Sequence, residues 1–268
     1  MKQVVCMKWG TVYGPEYVNI MWAMCRRNLT GEFTLICFTE DTTGIRPEVK
    51  CLPLPSLGCE IPEDVPGKWP KIALWGKDLC GLTGTALFID LDSVVVSNID
   101  GYFTHGDPAK VYVARNWVRL FGKHGQTSVF RFPIAQNAYM LENLQANSTE
   151  ISRKYQFEQN YVTANVHGGV NLWPESWTKH FSRHCMGIWP LRYIRPPVLP
   201  RDVKIVTFPG HPKPPDAVVG RWTKKNLPIK PLDHLRWVWE IRKTQKKWRK
   251  QLSRFVLPSA WVAEHWRE

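Results

Sequence analysis

A chain of 268 residues, 44% apolar and 22% charged, has the material to bury a sizeable core, which excludes disorder as its ground state. The formal charge of +13 and the 14 tryptophans point instead to polyanionic partners: nucleotides, nucleic acid or an anionic membrane surface.

In chain order, residues 3–7 read as a first strand and residues 15–27 as a helix with Pro15 in its first turn. Residues 33–39 and 49–54 read as two further strands. Residues 71–79 read as a helix feeding the strand that ends at Asp90. Beyond Asp100 the pattern is less regular, with strands predicted over 111–114, 136–141 and 203–208 between Pro- and Trp-rich connections. Apolar runs alternating with helical patterns predict a single α/β domain with a central sheet, and no internal repeat interrupts it.

The chain is expected to divide into a domain over residues 1–232 and a basic, Trp-rich tail over 233–268. Between Arg221 and Arg254, twelve Lys and Arg face only Asp233 and Glu240, so most of the excess charge lies in one stretch. Projected at ~100° per residue, Trp237, Val238, Ile241, Trp248, Leu252, Phe255 and Val256 fall within one arc, with the cations outside it. This predicts a basic amphipathic helix suited to an anionic membrane surface. The same stripe could instead pack on the domain. Nucleic acid is disfavoured as a partner, since no motif for binding it is present.

Seven cysteines, with no Cys-x-x-Cys pair and no zinc-ligand spacing, fit a reducing compartment. The first residues run straight into a strand pattern, and no apolar run approaches the ~20 residues of a membrane span. The expectation is a cytoplasmic protein attached peripherally to the inner face of the membrane.

The sharpest local signal is Ala-Leu-Phe-Ile-Asp-Leu-Asp-Ser-Val-Val-Val over residues 86–96, which sets two carboxylates one residue apart in an apolar strand. In extended backbone, residues i and i+2 share a face, so Asp90 and Asp92 can close on one hard cation. Mg²⁺ or Mn²⁺ is held by one or two carboxylates plus substrate phosphates, which fits a nucleoside-diphosphate substrate.

These residues, with Gly-Lys-Trp-Pro-Lys-Ile-Ala-Leu-Trp over 67–75 and Ser-Asn-Ile-Asp over 97–100, resemble the nucleotide-sugar site of GT-A glycosyltransferases. The likeness is to family 8, that of glycogenin and bacterial lipopolysaccharide galactosyl- and glucosyltransferases. Lys71, Asp90, Asp92 and Asn98 occupy the matching positions, and Leu91 joins the donor-contacting set. Residues 204–214, Lys-Ile-Val-Thr-Phe-Pro-Gly-His-Pro-Lys-Pro, are similar to the family stretch whose Gly and Lys meet the diphosphate, which assigns those roles to Gly210 and Lys213.

Where the family places a metal-binding His, this chain has Thr207; His211 is the substitute ligand nearest in sequence. The acceptor side of the family corresponds to Asn137, Glu158 and Gln159, and Tyr13 and Tyr17 compete for the aromatic contact to the base. The resemblance implies a Rossmann-like GT-A domain with a mixed sheet. It also implies metal-assisted, retaining transfer of a hexose from a nucleotide sugar, with UDP the expected nucleotide, to a glycan or glycolipid such as a lipopolysaccharide core.

Two other readings compete. Ile-Asp-Leu-Asp-Ser-Val also resembles the aspartyl nucleophile loop of haloacid dehalogenase phosphatases, but the later acidic pair those enzymes need has no counterpart after Asp107 in an apolar-strand setting. A non-catalytic protein binding membrane or nucleic acid through the basic tail is the other.

Overall fold

The structure is a computed structural model that describes residues 1–117 and 124–268. Among these, the central sheet has seven strands: β1 (Lys2–Lys8), β2 (Phe33–Thr39), β3 (Lys50–Leu52), β4 (Thr85–Ile89), β6 (Tyr112–Arg115), β7 (Gly125–Pro133) and β8 (Asn171–Leu172), in the order β3-β2-β1-β4-β7-β6-β8. The β3-β2-β1-β4 half is parallel; β7 then runs antiparallel to both β4 and β6. A second sheet pairs β5 (Ser93–Val95), β10 (Ile205–Thr207) and β9 (Thr178–His180) in the order β5-β10-β9.

The parallel half needs crossovers on its faces, and the chain supplies them. Pro15 opens α1 (Pro15–Asn28), whose Val18, Met21 and Cys25 are fully buried. On β1 the side chains alternate between two cores. Val4 and Cys6 pack with α1, whereas Val5 and Met7 pack with a 3₁₀ helix (Trp69–Trp75) and with α3 (Tyr139–Ala146) and α5 (Glu158–Asn165). Two further short helices, α2 (Gly101–Thr104) and α4 (Ser148–Tyr155), complete this part of the chain.

Three sequence expectations change. The run over residues 86–96 is not one strand: β4 ends at Ile89, a turn closed by Ser93 N–H donating to Asp90 O at 2.9 Å follows, and β5 belongs to the second sheet. The strand expected over 136–141 is a turn into α3, because Met140, Leu141 and Leu144 bury on helical spacing. β7 lies outside the predicted strands, since Thr127, Ser128 and Arg131 break its apolar alternation. All three are nevertheless buried, and Arg131 donates to the carbonyls of Tyr102 (3.0 Å) and Asp107 (2.8 Å).

The C-terminal part also departs from expectation. In place of one long basic helix there are α7 (Pro231–Ile241) and α8 (Arg249–Leu252), separated by residues 242–248. Arg242, Lys243, Lys246 and Lys247 in that gap set like charges three to five residues apart, which opposes a continuous helix. The apolar stripe divides accordingly. Val238, Phe255 and Val256 are buried, with Phe255 stacked on Tyr193 at 4.4 Å, whereas Trp237 and Trp239 face outward.

The chain then returns to the main core. After α6 (Pro214–Val219), Gly220 adopts φ +74°, and a Cβ there would lie 2.8 Å from Pro258 N. That close approach seats α9 (Ala260–His265): Val262 is fully buried, Trp266 meets the Tyr17 ring edge-on at 5.1 Å, and Arg27 donates to the carbonyls of His265 and Arg267.

Candidate active site

A cavity of about 470 Å³ opens beyond the carboxyl ends of β1 and β4, where open α/β sheets receive their ligands. Asp90, Leu91 and Asp92 enter it from the turn between the two sheets, so the pair of carboxylates is presented by a reversal of the chain rather than by a strand. Lys71 comes from the 3₁₀ helix, Glu158 from the start of α5, Tyr13 from the loop before α1, and Gly210 and Lys213 from the loop before α6.

The charges are arranged in two connected groups. Lys71, only 4% exposed, donates to Asp90 Oδ1 at 3.1 Å and to Thr127 O at 2.6 Å, and lies 3.9 Å from Glu158 Oε1. Glu158 is held at both oxygens: Thr127 Oγ1 donates at 2.9 Å and the Lys68 backbone N–H at 3.3 Å. Asp92 takes the Lys213 ammonium and, at 2.8 Å, the Tyr13 hydroxyl. Burial pushes the Asp90 carboxyl above its ordinary range, against the pull of the Lys71 ammonium and with a further push from Asp92. Tyr13 is held protonated by burial and by the Asp92 charge it donates to.

Gly210 has φ +80°, and a Cβ there would meet nothing within 4 Å, so glycine is needed at this position for backbone conformation alone. Asp216 stabilises the loop that carries Lys213. Its carboxylate accepts from the Lys213 N–H at 3.4 Å and from Arg221 Nε at 2.6 Å, which ties the two ends of α6 together.

Of the residues expected from sequence, Tyr13, Lys71, Asp90, Leu91, Asp92, Glu158, Gln159, Gly210 and Lys213 line this one cavity. Tyr17, Asn137 and His211 do not. Tyr17 stands behind Tyr13, ring centres 4.8 Å apart. Asn137 is buried before α3 and accepts from Tyr139 at 3.3 Å. Thr207, at the family's His position, is fully buried and donates to Lys179 O at 3.4 Å. Asn98 also stays outside the cavity, bonding Asp100 at 2.9 Å.

Sequence reasoning passes over Trp9, Lys68 and the Gln126-Thr127-Ser128 step of β7, all of which line the cavity. The last of these carries a usable signal. Polar residues set at one end of an otherwise apolar run are the same feature that makes Asp90 and Asp92 conspicuous.

Among the described residues no group of three or more His, Cys, Asp and Glu is placed to hold a metal ion. The protein therefore offers two carboxylates, a hard-oxygen donor pair that suits Mg²⁺ or Mn²⁺ when phosphate oxygens and water complete the shell. The Lys213 ammonium on Asp92 indicates that this carboxylate is presented to a positive charge.

No protein-family model and no curated protein matches the chain. Solved structures do. The galactosyltransferase LgtC, in complex with donor and acceptor sugar analogs, is 12% identical at a TM-score of 0.59, covering 93% of this chain and 99% of that one. The glycosyltransferase GlyE of Streptococcus pneumoniae TIGR4 is 11% identical at 0.54, covering 97% and 66%. The bifunctional glycosyltransferase WbbM is 12% identical at 0.54, with 80% of this chain spanning 46% of that one, less than half its length. At such identities the likeness is one of fold: the chain has the mixed-sheet, Rossmann-like GT-A fold of these glycosyltransferases.

Proposed function

We propose that the protein is a glycosyltransferase that moves a hexose from a nucleoside-diphosphate sugar, with UDP the nucleotide we favour, to a hydroxyl of a glycan or glycolipid. The observation that carries this reading is the convergence of Asp90, Asp92, Lys71 and Lys213 on one cavity at the carboxyl end of the parallel strands. Two carboxylates and two ammonium groups suit a diphosphate brought with a divalent cation.

Asp90 and Asp92 would hold Mg²⁺ or Mn²⁺, which when bound supplies Lewis-acid neutralisation of the leaving diphosphate. Lys213 exchanges its contact with Asp92 for a phosphate oxygen. Gly210 lets the backbone approach the same group. Tyr13, backed by Tyr17, supplies an aromatic wall beside it, and Leu91 packs against the donor. Gln159, which lines the cavity, would face the acceptor.

Glu158 acts as a positioning residue: both its oxygens are occupied, and what they fix is Lys71 and the Lys68 backbone. No imidazole lines the cavity among the described residues. The base left for the acceptor proton is then an oxygen of the departing diphosphate, consistent with the retaining outcome that the family resemblance implies.

Peripheral membrane attachment belongs to the same proposal. Trp237 and Trp239 are exposed just before the cations Arg242, Lys243, Lys246 and Lys247 that follow α7, and no helix of the described residues is long and apolar enough to cross a membrane. The test is thermal stabilisation by UDP, GDP and inorganic phosphate, each with and without Mn²⁺, in wild type and Asp92→Asn. A Mn²⁺-dependent shift with one nucleoside diphosphate, lost in the variant, is expected. No nucleotide shift at saturation would overturn the reading, and release of phosphate from a generic phosphoester in an Asp90-dependent way would favour the phosphatase.

A further inference from the structure

A second cavity, of about 790 Å³, lies between the loop after α6 and the α7–α8 pair, and it falls within the size range of small-molecule sites. Its lining combines apolar Trp222, Leu227, Ile229, Trp237 and Phe255 with cationic Arg221, Lys225 and Arg254. No Asp or Glu lines it. Arg221 is spent on Asp216, but Lys225 and Arg254 have no carboxylate within 4.0 Å among the described residues.

The remaining titratable group of the lining carries no charge. His234 is 5% exposed, its Nδ1 pairs with the Tyr193 hydroxyl at 2.9 Å, and burial pushes its pKa down to about 4. A lining that combines unpaired cations with apolar rings and chains and holds no acid matches a ligand with an anionic head and an apolar body.

The surroundings narrow the ligand further. Of the exposed large apolar side chains among the described residues, only Met1, Val12 and Phe157 lie outside residues 188–239. Leu227 (86%), Leu232 (68%) and Trp239 (61%) are exposed on the segments that frame this cavity. A free nucleotide or sugar phosphate would leave the exposed Leu227 and its apolar neighbours in the lining uncovered; an aliphatic chain covers them.

The two cavities are joined by α6. Lys213 at its start lines the first, and Gly220 and Arg221 just past its end line the second. Six helical residues span about 9 Å, within reach of one extended molecule.

We infer that the second cavity binds a single anionic amphiphile, a phosphate carried on an aliphatic anchor, with the phosphate on Lys225 and Arg254 and the chain against Trp222, Trp237 and Phe255. This rests on the glycolipid-acceptor reading and deepens it: the cavity takes the lipid end of the acceptor and leaves its glycan end toward Gln159.

The experiment is calorimetric titration of the full chain with dihexanoyl phosphatidic acid below its critical micelle concentration. Dihexanoyl phosphatidylcholine and glycerol 3-phosphate, with the same chains or the same head alone, serve as comparators. One-to-one binding at least about tenfold tighter than either comparator is expected, weakened about tenfold or more by Lys225→Gln combined with Arg254→Gln. Lys225→Gln alone, at an exposed position, gives the same direction should the double variant misfold. Equal binding of the two amphiphiles, binding of the head alone as tightly, absence of saturation, or indifference to both variants each overturns the inference. UDP stabilisation measured on the same samples separates the two readings. A UDP response without amphiphile binding removes the second cavity's ligand and leaves the transferase. Amphiphile binding without any nucleotide response keeps the ligand and removes the transferase.

Discussion

The ammonium of Lys213 rests on the carboxylate of Asp92, across 121 positions of sequence, and the Tyr13 hydroxyl donates to the same carboxylate oxygen. A cation from the loop before α6 is thereby held against an anion from the turn after β4. Both groups are removed from most of the solvent, so each needs the other until a ligand takes one of them.

Lys213→Gln is therefore expected to weaken nucleoside-diphosphate binding by roughly 10- to 100-fold, the ~1.5–3 kcal/mol of one charge-assisted contact. Isothermal titration with UDP and Mn²⁺ checks this. Unchanged affinity would mean that Lys213 serves Asp92 and not the phosphates.

Lys71 is the more structural of the two cations. It is almost wholly buried between Asp90, Glu158 and the Thr127 carbonyl, so Lys71→Met leaves two carboxylates without their common partner. The expected cost is about 3 kcal/mol of stability, measured by urea denaturation. Glu158→Gln, which keeps the shape and one acceptor, is expected to cost about 1 kcal/mol and to slow transfer by misplacing Lys71.

His234 makes the fold sensitive to acid. Burial holds its pKa at about 4 against 6.5 for a free imidazole, so the folded state keeps it neutral while the unfolded chain protonates first. The associated stability is fully present above pH 6.5 and is lost as pH falls through the window from 6.5 to 4, by up to about 3 kcal/mol. Denaturation midpoints followed over that window are expected to fall less steeply in His234→Gln than in wild type.

The end of the chain is part of the core. Trp266 is 8% exposed and packs on Tyr17, which backs the cavity residue Tyr13. Trp266→Ala is expected to destabilise the protein by about 3 kcal/mol, a cavity cost. Trp239→Ala, at a 61% exposed position, should leave stability within about 0.5 kcal/mol while reducing cosedimentation with anionic vesicles. Equal retention of vesicle binding would remove Trp239 from the membrane surface.

The parallel half of the sheet is legible in the residues themselves, because β1, α1, β2 and β4 are local patterns whose apolar periodicity reports their own burial. Asp90 and Asp92 are legible in the same way, as charge set in an apolar run, whereas Lys71, Gly210 and Lys213 are reached through the family resemblance and not through a local pattern. Tertiary structure decided what a local pattern does not contain. The turn that separates β4 from β5 depends on a second sheet completed by β10, more than 100 residues later. The burial of Thr127 and Arg131 in β7 depends on partners from distant segments, Lys71 and Glu158 for the first, Tyr102 and Asp107 for the second. The return of Val262 and Trp266 to the core depends on where α1 and α6 already stand. In each case the deciding free energy is that of packing and pairing between segments far apart in sequence, which outweighs the propensity of any one of them.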